Sequence, residues 1–401
     1  MKKRTIAKTG ATMLTMAMLL NGTTVFAADN SYQVVKGGST TFDKYLVMDQ
    51  EANVPNASFT YTIAPGTAKN YNVANKNVEV LAGVGTPTMT DEDSGTEGYQ
   101  LVFKPTDTLN KTLQTGDQVK DFNADKQGYA KKTSMVDFSG VTFTEPGIYR
   151  YVITETGTGT NQAVTNDTND KRYLDVYVID ENGVLKVSGY ILHATDSEVG
   201  MGESQGSDGT QTDNKSQGFT NTYDTSNLTF KKEVSGNQAS HDKYFEFTVE
   251  IKDAVPGTVY NVDIKGATPT SGSNAATIEA NANKANVTKL TVDDTRKVTQ
   301  KFYLQHGQEI TIQGIAKDSK YSVTENAEDY KSTAAGVKNY ADATSGTIVS
   351  TDLKTSYLNT RAGVIPTGVM MTVAPFAAVT LLGAAGMVKI RMSKKREDDE
   401  E

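Results

Sequence analysis

The chain has no cysteine, so no disulfide holds it together. Histidine is scarce: His193, His241 and His306 stand far apart in sequence, and no zinc-ligand spacing, nucleophile elbow or P-loop accompanies them. Turnover catalysis on an external substrate is therefore not indicated, and neither a cofactor nor a metal is expected. The stretch "DEDSG" at 91–95 faintly resembles a calcium loop but lacks the ligands that would follow, and reads as a solvated turn. Positive charge is in short supply too, with 40 Lys and Arg against 48 Asp and Glu. Setting aside four basic residues at the start and a terminal tail whose charges cancel takes the net charge from −8 to about −12, which excludes nucleic acid as a partner. Long Leu/Ala/Glu/Lys helical stretches are missing from the middle of the chain. What is present instead is Gly, Thr, Asn and Asp between short runs rich in Val, Ile, Tyr, Phe and Thr, an all-β composition.

The two ends carry the apolar runs. Residues 1–27 begin with basic residues, continue through an apolar stretch from Ala11 to Leu20, and reach small residues at Ala27 and Ala28, the pattern of a secretory signal peptide. Residues 369–388 carry no charge and are long enough to cross a hydrocarbon core about 30 Å thick. The tail at 389–401 opens with Lys389, Arg391, Lys394, Lys395 and Arg396, which hold it on the cytoplasmic side. A buried core helix is the weaker reading, because it leaves the basic cluster nowhere to go.

Between the ends one pattern occurs twice. The first copy contains "STTFDKYLVMD", "FTYTIAPGT", "EPGIYRYVITETG" and "GFTNTYD"; the second contains "NLTFKKEVSGN", "FEFTVEIKDAVPGT", "DSKYSVTENAEDY" and "SYLNTRAG". Two tandem β domains are expected, at 28–223 and 224–362. Alternate residues on a strand share a face. Lys44 falls in the apolar row of Phe42, Leu46 and Met48, and Lys232 in that of Leu228, Phe230 and Val234. Glu155 aligns with Tyr149, Tyr151 and Ile153, and Glu325 with Tyr321 and Val323. Asn221 aligns with Phe219 and Tyr223, and Asn359 with Tyr357. Each domain is thus expected to point one Lys, one Glu and one Asn inward, in the same order.

A lone lysine at such a position can snorkel from an edge strand, and a lone Asn near a strand end can form a turn. The repeated triple favours chemistry. Burial lowers the amine's pKa and raises the carboxyl's, so a neutral lysine is a nucleophile beside the Asn acyl group. The acid can polarise the carbonyl and carry protons while ammonia leaves. The product is an intramolecular Lys–Asn isopeptide bond.

"YRYVITE", "GFTN", "LTFKKEVSGN" and an Asn seven residues ahead of the Pro of "VIPTG" resemble the major backbone pilins of Gram-positive bacteria, of the streptococcal isopeptide-linkage type. The resemblance implies tandem immunoglobulin-like (CnaB-type) β-sandwiches. It pairs Lys44 with Asn221 assisted by Glu155, and Lys232 with Asn359 assisted by Glu325. It also implies that 364–368 is a sorting motif, cut by a sortase between Thr367 and Gly368 after Pro366, with Thr367 passed to an amine. Val364 and Ile365 stand where the commonest sorting pattern begins with Leu-Pro. The polymerising lysine of such pilins sits near Lys215, the only lysine in "TDSEVGMGESQGSDGTQTDNKSQGFTN"; the Trp-containing alternative is absent, since the chain has no Trp. The implied partners are a sortase, other copies of the chain and peptidoglycan, with minor pilins or host ligands beside them. The membrane is engaged only through the removable C-terminal helix. The implied location is the cell wall and a surface pilus. A monomeric sortase-anchored adhesin is the alternative, with "SGSNAATIEANANKANVTK" and the long loops of the first domain as its contact surfaces.

Overall fold

The computed structural model describes residues 33–364 apart from 74–75, 92–99, 158–162, 198, 200–202, 206–210, 214, 217 and 267–286. The expected signal peptide, Pro366, Thr367, Gly368, the apolar span and the tail lie outside these residues, as do most of "DEDSG" and of the loop after 266. Among the described residues no helix is long and apolar enough to cross a membrane.

The described chain is all β-strand and connection, in two successive pairs of facing sheets. In the first pair, one sheet orders Val164–Thr165, Gly218–Tyr223, Ser39–Asp49, Gln127–Asp137 and Thr88–Asp91. The facing sheet runs Val184–His193, Lys171–Glu181, Gly147–Glu155, Ala57–Pro65 and Gln100–Phe103, with Lys69–Val73 and Lys76–Ala82 attached at Gly147–Glu155. In the second pair, Lys289–Thr291, Val259–Lys265, Glu309–Ala316, Thr225–Ser235, Leu353–Thr360 and Lys331–Ala334 face Lys297–Leu304, Phe245–Lys252, Lys320–Asn326 and Ser345–Thr347. These are immunoglobulin-like sandwiches, and each pair buries its own apolar cluster between the sheets.

One topological feature recurs and matters for function. In both sandwiches the first long strand and the last strand are parallel neighbours: Ser39–Asp49 beside Gly218–Tyr223, and Thr225–Ser235 beside Leu353–Thr360. In the first, Gly218 makes this approach possible, since a Cβ there would stand 1.6 Å from the Asp43 carbonyl oxygen.

Side-chain parity holds on the inner faces, where Phe42, Leu46 and Met48 are buried with Lys44. The outer face departs from simple alternation. Tyr45, Val47 and Tyr129 are buried as well, because the connection before Gln127 folds over them with Val119 and Phe122. Beside Glu155's row, Arg150 is also buried, paired with Asp175 through Nε–Oδ1 at 2.7 Å and Nη2–Oδ2 at 2.8 Å.

The two sandwiches meet through residues 50–56. Asn53 Nδ2 donates to Val259 O at 3.0 Å, Asn56 Nδ2 to Pro256 O at 2.7 Å, and Asn261 Nδ2 to Glu51 O at 2.9 Å. Gly314, at φ +70°, lets Ala52 lie directly against the second sandwich.

Replacing Gly218 tests the strand approach. Gly218→Ala should lower stability by about 1–3 kcal/mol through overpacking, whereas Gly140→Ala, where a Cβ meets nothing within 4 Å, should be nearly neutral. Chemical denaturation of both chains reads the difference.

Candidate functional site

Each sandwich brings its Lys, Glu and Asn together in the core. Lys44 and Asn221 come from the two parallel strands of one sheet, where Lys44 stands opposite Phe219 and Asn221 opposite Leu46. Glu155 reaches them from the facing sheet. Lys44 Nζ lies 2.6 Å from Glu155 Oε2, and Asn221 Nδ2 donates to Glu155 Oε1 at 2.6 Å. Lys44 and Asn221 are fully buried and Glu155 is 8% exposed.

The second site repeats this plan. Lys232 and Asn359 come from the parallel strands and Glu325 from the facing sheet. Lys232 Nζ lies 2.6 Å from Glu325 Oε1, to which Asn359 Nδ2 also donates at 3.1 Å. Each ammonium sits over an aromatic face, Lys44 over Phe59 at 4.3 Å and Lys232 over Phe245 at 4.4 Å.

Burial pulls the Lys44 amine down to about 8 against the pull of Glu155 in the other direction, and burial likewise takes Lys232 down to about 8 against Glu325. The cause is desolvation of the ammonium, which the single carboxylate only partly offsets. The Glu155 carboxylate bridges nucleophile and leaving group, with one oxygen on the amine and the other on the carboxamide nitrogen. Such an arrangement can relay a proton from Lys to the departing nitrogen while the amine attacks the carboxamide carbon.

Several contributors escaped the sequence pattern. Tyr61 donates its hydroxyl to Glu155 Oε2 at 2.7 Å, and burial beside that carboxylate pushes the phenol well above its ordinary value. Phe247 occupies the matching place opposite Glu325, and there Ser332 donates to Glu325 Oε2 at 2.8 Å instead. Tyr61 lies in the repeated segment "FTYTIAPGT", but the Phe in the other copy concealed its role. Asn166 and Asp167 border Asn221: Asn221 Nδ2 donates to Asn166 Oδ1 at 3.1 Å, and the Asp167 N–H donates to Asn221 Oδ1 at 3.0 Å. No periodicity marks these two, since they sit just past the short strand Val164–Thr165.

Lys215 is exposed, and its backbone bridges that of His193. His241 and His306, distant in sequence, stack with ring centroids 4.1 Å apart. Among the described residues no group of His, Asp and Glu is arranged to hold a metal ion.

In an Asn221→Ala/Asn359→Ala chain both amines stay free, and the unfolded chain holds their protons up to the ordinary lysine value whereas the folded chain sheds them near 8. The burial cost is thus fully present below about 8 and is relieved as pH rises. Stability should increase from pH 8 to 9.5 by up to about 1.4 kcal/mol per unit for each lysine, read by urea denaturation at each pH. A flat or falling trend across that window would show the amines are not desolvated as described.

Known families and proteins resemble this chain. Residues 40–224 match the family described as the Spy0128-like isopeptide containing domain. Residues 226–361 match one described as a domain of unknown function (DUF7601). A protein named "Pilin" from Streptococcus pyogenes serotype M1 is 28% identical over 403 residues, covering 96% of this chain and 97% of that one. The crystal structure of the major pilin from Streptococcus pyogenes is 22% identical over 82% of this chain and 100% of its own, with a TM-score of 0.49. The T3.2 major pilin of the same species is 21% identical over 82% and 99%, with a TM-score of 0.47. These relatives are pilins, structural proteins rather than enzymes. Residues 40–224 are thus similar to a Spy0128-like isopeptide containing domain, and the chain over nearly its whole length is similar to a streptococcal pilin.

Proposed function

We propose that the chain is the backbone subunit of a covalently polymerised cell-surface pilus, stiffened by two self-formed bonds, Lys44–Asn221 and Lys232–Asn359. The observation that carries this reading is the burial of a Lys, a Glu and an Asn in mutual contact, twice, at the same topological place. In each reaction the Lys Nζ–Asn Cγ bond forms, the Asn Cγ–Nδ2 bond breaks, and the nitrogen leaves as ammonia with the protons relayed by Glu155 or Glu325.

The strand order supports a mechanical role. Each bond joins a sandwich's first strand to its parallel neighbour, the last strand. Tension entering at one chain end and leaving at the other crosses the covalent link without unzipping the sheet. By the chain-entropy argument used for disulfides, closing so long a loop stabilises each domain by about 5 kcal/mol. That replaces what a cysteine-free exported chain cannot obtain from disulfides.

Polarity supports head-to-tail growth. Gly218–Tyr223 runs parallel to Ser39–Asp49, toward the junction at residues 50–56, and exposed Lys215 precedes it on the side away from that junction. Leu353–Thr360 runs parallel to Thr225–Ser235, away from the first sandwich. The donor Thr367, cut from Gly368 after Pro366, would therefore leave one pole while the acceptor Lys215 lies at the other. Sortase as the joining enzyme, peptidoglycan as the final anchor and the division into domains at 28–223 and 224–362 belong to the same proposal.

Two measurements test it. The intact mature chain should weigh two ammonias less than its sequence, and Glu155→Ala and Glu325→Ala should each restore one. Wall extracts on a denaturing gel should show a high-mass ladder that Lys215→Arg abolishes. One discrete band from the unaltered chain would favour a monomeric anchored adhesin, and a persistent ladder in Lys215→Arg cells would move the acceptor elsewhere.

A further inference from the structure

The two sites share a Lys, a Glu and an aromatic floor; besides the Tyr61 hydroxyl that only Glu155 receives, they differ at the electrophile. Asn166 and Ser332 occupy equivalent places, each the residue facing the reacting Asn from the edge strand. Val164 and Thr165 pair with Tyr223 and Thr222, which brings Asn166 opposite Asn221, while Ser332 pairs directly with Asn359. In the second site the edge strand runs on past this point to Ala334, and its backbone stays in the ladder. In the first the strand ends at Thr165, and the chain turns so that the Asp167 N–H points at the Asn221 side chain, donating to Oδ1 at 3.0 Å.

The consequences for the two carboxamides are unequal. Asn221 has Oδ1 on a backbone donor and Nδ2 between two acceptors, Glu155 Oε1 at 2.6 Å and Asn166 Oδ1 at 3.1 Å. Asn359 has Nδ2 on Glu325 Oε1 alone, and its buried Oδ1 has no hydrogen-bond partner among the described residues.

The turn at Asp167 is itself anchored. Its carboxylate accepts from Arg172 Nη2 at 2.6 Å, from Thr220 N at 3.0 Å and from Asn169 N at 3.1 Å. Burial pushes this acid up, but the Thr220 N–H and the Arg172 guanidinium outweigh it and hold the carboxyl below its usual range. Arg172 in turn donates through Nε to Gly218 O at 2.7 Å, tying the turn to the strand that carries Asn221.

We propose that the Asp167 backbone N–H is a catalytic hydrogen-bond donor of the first site, oriented by Asn166, Arg172 and the Asp167 carboxylate, and that the Lys44–Asn221 bond consequently forms faster than the Lys232–Asn359 bond. The inference rests on the bond-forming reading above. When Lys44 Nζ adds to Asn221 Cγ, negative charge grows on Oδ1, where the Asp167 N–H already points. A fixed donor aimed at developing charge needs no reorganisation during the step. The Asn166 oxygen and Glu155 Oε1 both accept from the nitrogen that departs, holding it beside the carboxyl that delivers its proton. Collapse then restores the carbonyl, forms the amide and releases ammonia.

Cell-free synthesis of the full exported segment provides the test, since the second site serves as a clock in the same molecule. Aliquots are quenched in denaturant after protease resistance reaches its plateau, and the two cross-linked peptides are quantified by mass spectrometry. The unaltered chain should form the Lys44–Asn221 peptide at least about tenfold faster than the Lys232–Asn359 peptide, a threshold set below the roughly 10²–10³-fold that one such donor contributes in enzymes. Replacing the Asp167 amide with an ester, by incorporating the corresponding α-hydroxy acid, removes the N–H and keeps the side chain. That change should slow the first bond by about tenfold or more and leave the second unchanged. Asn166→Ala should slow the first bond severalfold. Equal rates in the unaltered chain, or an unaltered first rate in the ester chain, overturn the inference while leaving the bonds intact. Absence of both cross-linked peptides from the unaltered chain overturns the bond-forming reading itself.

Discussion

A lysine ammonium in an apolar core cannot stay there without an answering charge, and much of this molecule follows from how that demand is met. Water would solvate the ion far better than the core does, so Lys44 and Lys232 need Glu155 and Glu325 within ion-pair distance. The carboxylates come from the opposite sheet in both sandwiches, so each pair also fixes how the two sheets face each other. The same desolvation that makes the pair costly brings the amines to about 8, within reach of neutral nucleophilic form. A liability of folding becomes the source of reactivity once an Asn carboxamide lies beside it.

On the proposed reading, the strand order turns that reactivity into a mechanical property. Because first and last strands are parallel neighbours, a bond between them spans the whole sandwich by the shortest route. The contacts at residues 50–56 extend the same logic between sandwiches. Three asparagine carboxamides bond to backbone carbonyls across the junction, and Gly314 admits Ala52 at a separation that a side chain would prevent. Load can then pass from one sandwich to the next through a packed, hydrogen-bonded joint as well as through the connecting chain.

Much of the site could be read from the chain because a strand displays its residues with period two. Placing Lys44 among Phe42, Leu46 and Met48 required no knowledge of the partner strand, and the same holds for Glu155, Asn221 and their counterparts. Parity failed where another segment covers the outer face, as over Tyr45 and Val47, or where an arginine is buried by a carboxylate from the next strand, as at Arg150. Those burials depend on chain that returns from far away, and nothing local to the strands announces it. Tyr61 lay in a repeated segment, but its copy is Phe247, so comparing the copies hid the hydroxyl's contact with Glu155.

By itself the sequence determined the all-β character, the doubled pattern and the inward direction of six polar side chains, since composition and period-two alternation act within each strand. Only the tertiary structure decided which of those side chains meet. Contact across facing sheets depends on strand order and register, and one residue of slip would send every side chain to the other face. The difference between the two Asn environments is finer still. It arises where an edge strand stops at Thr165 in one sandwich and continues through Ser332 in the other, so that among the described residues one carbonyl meets a backbone N–H and the other does not.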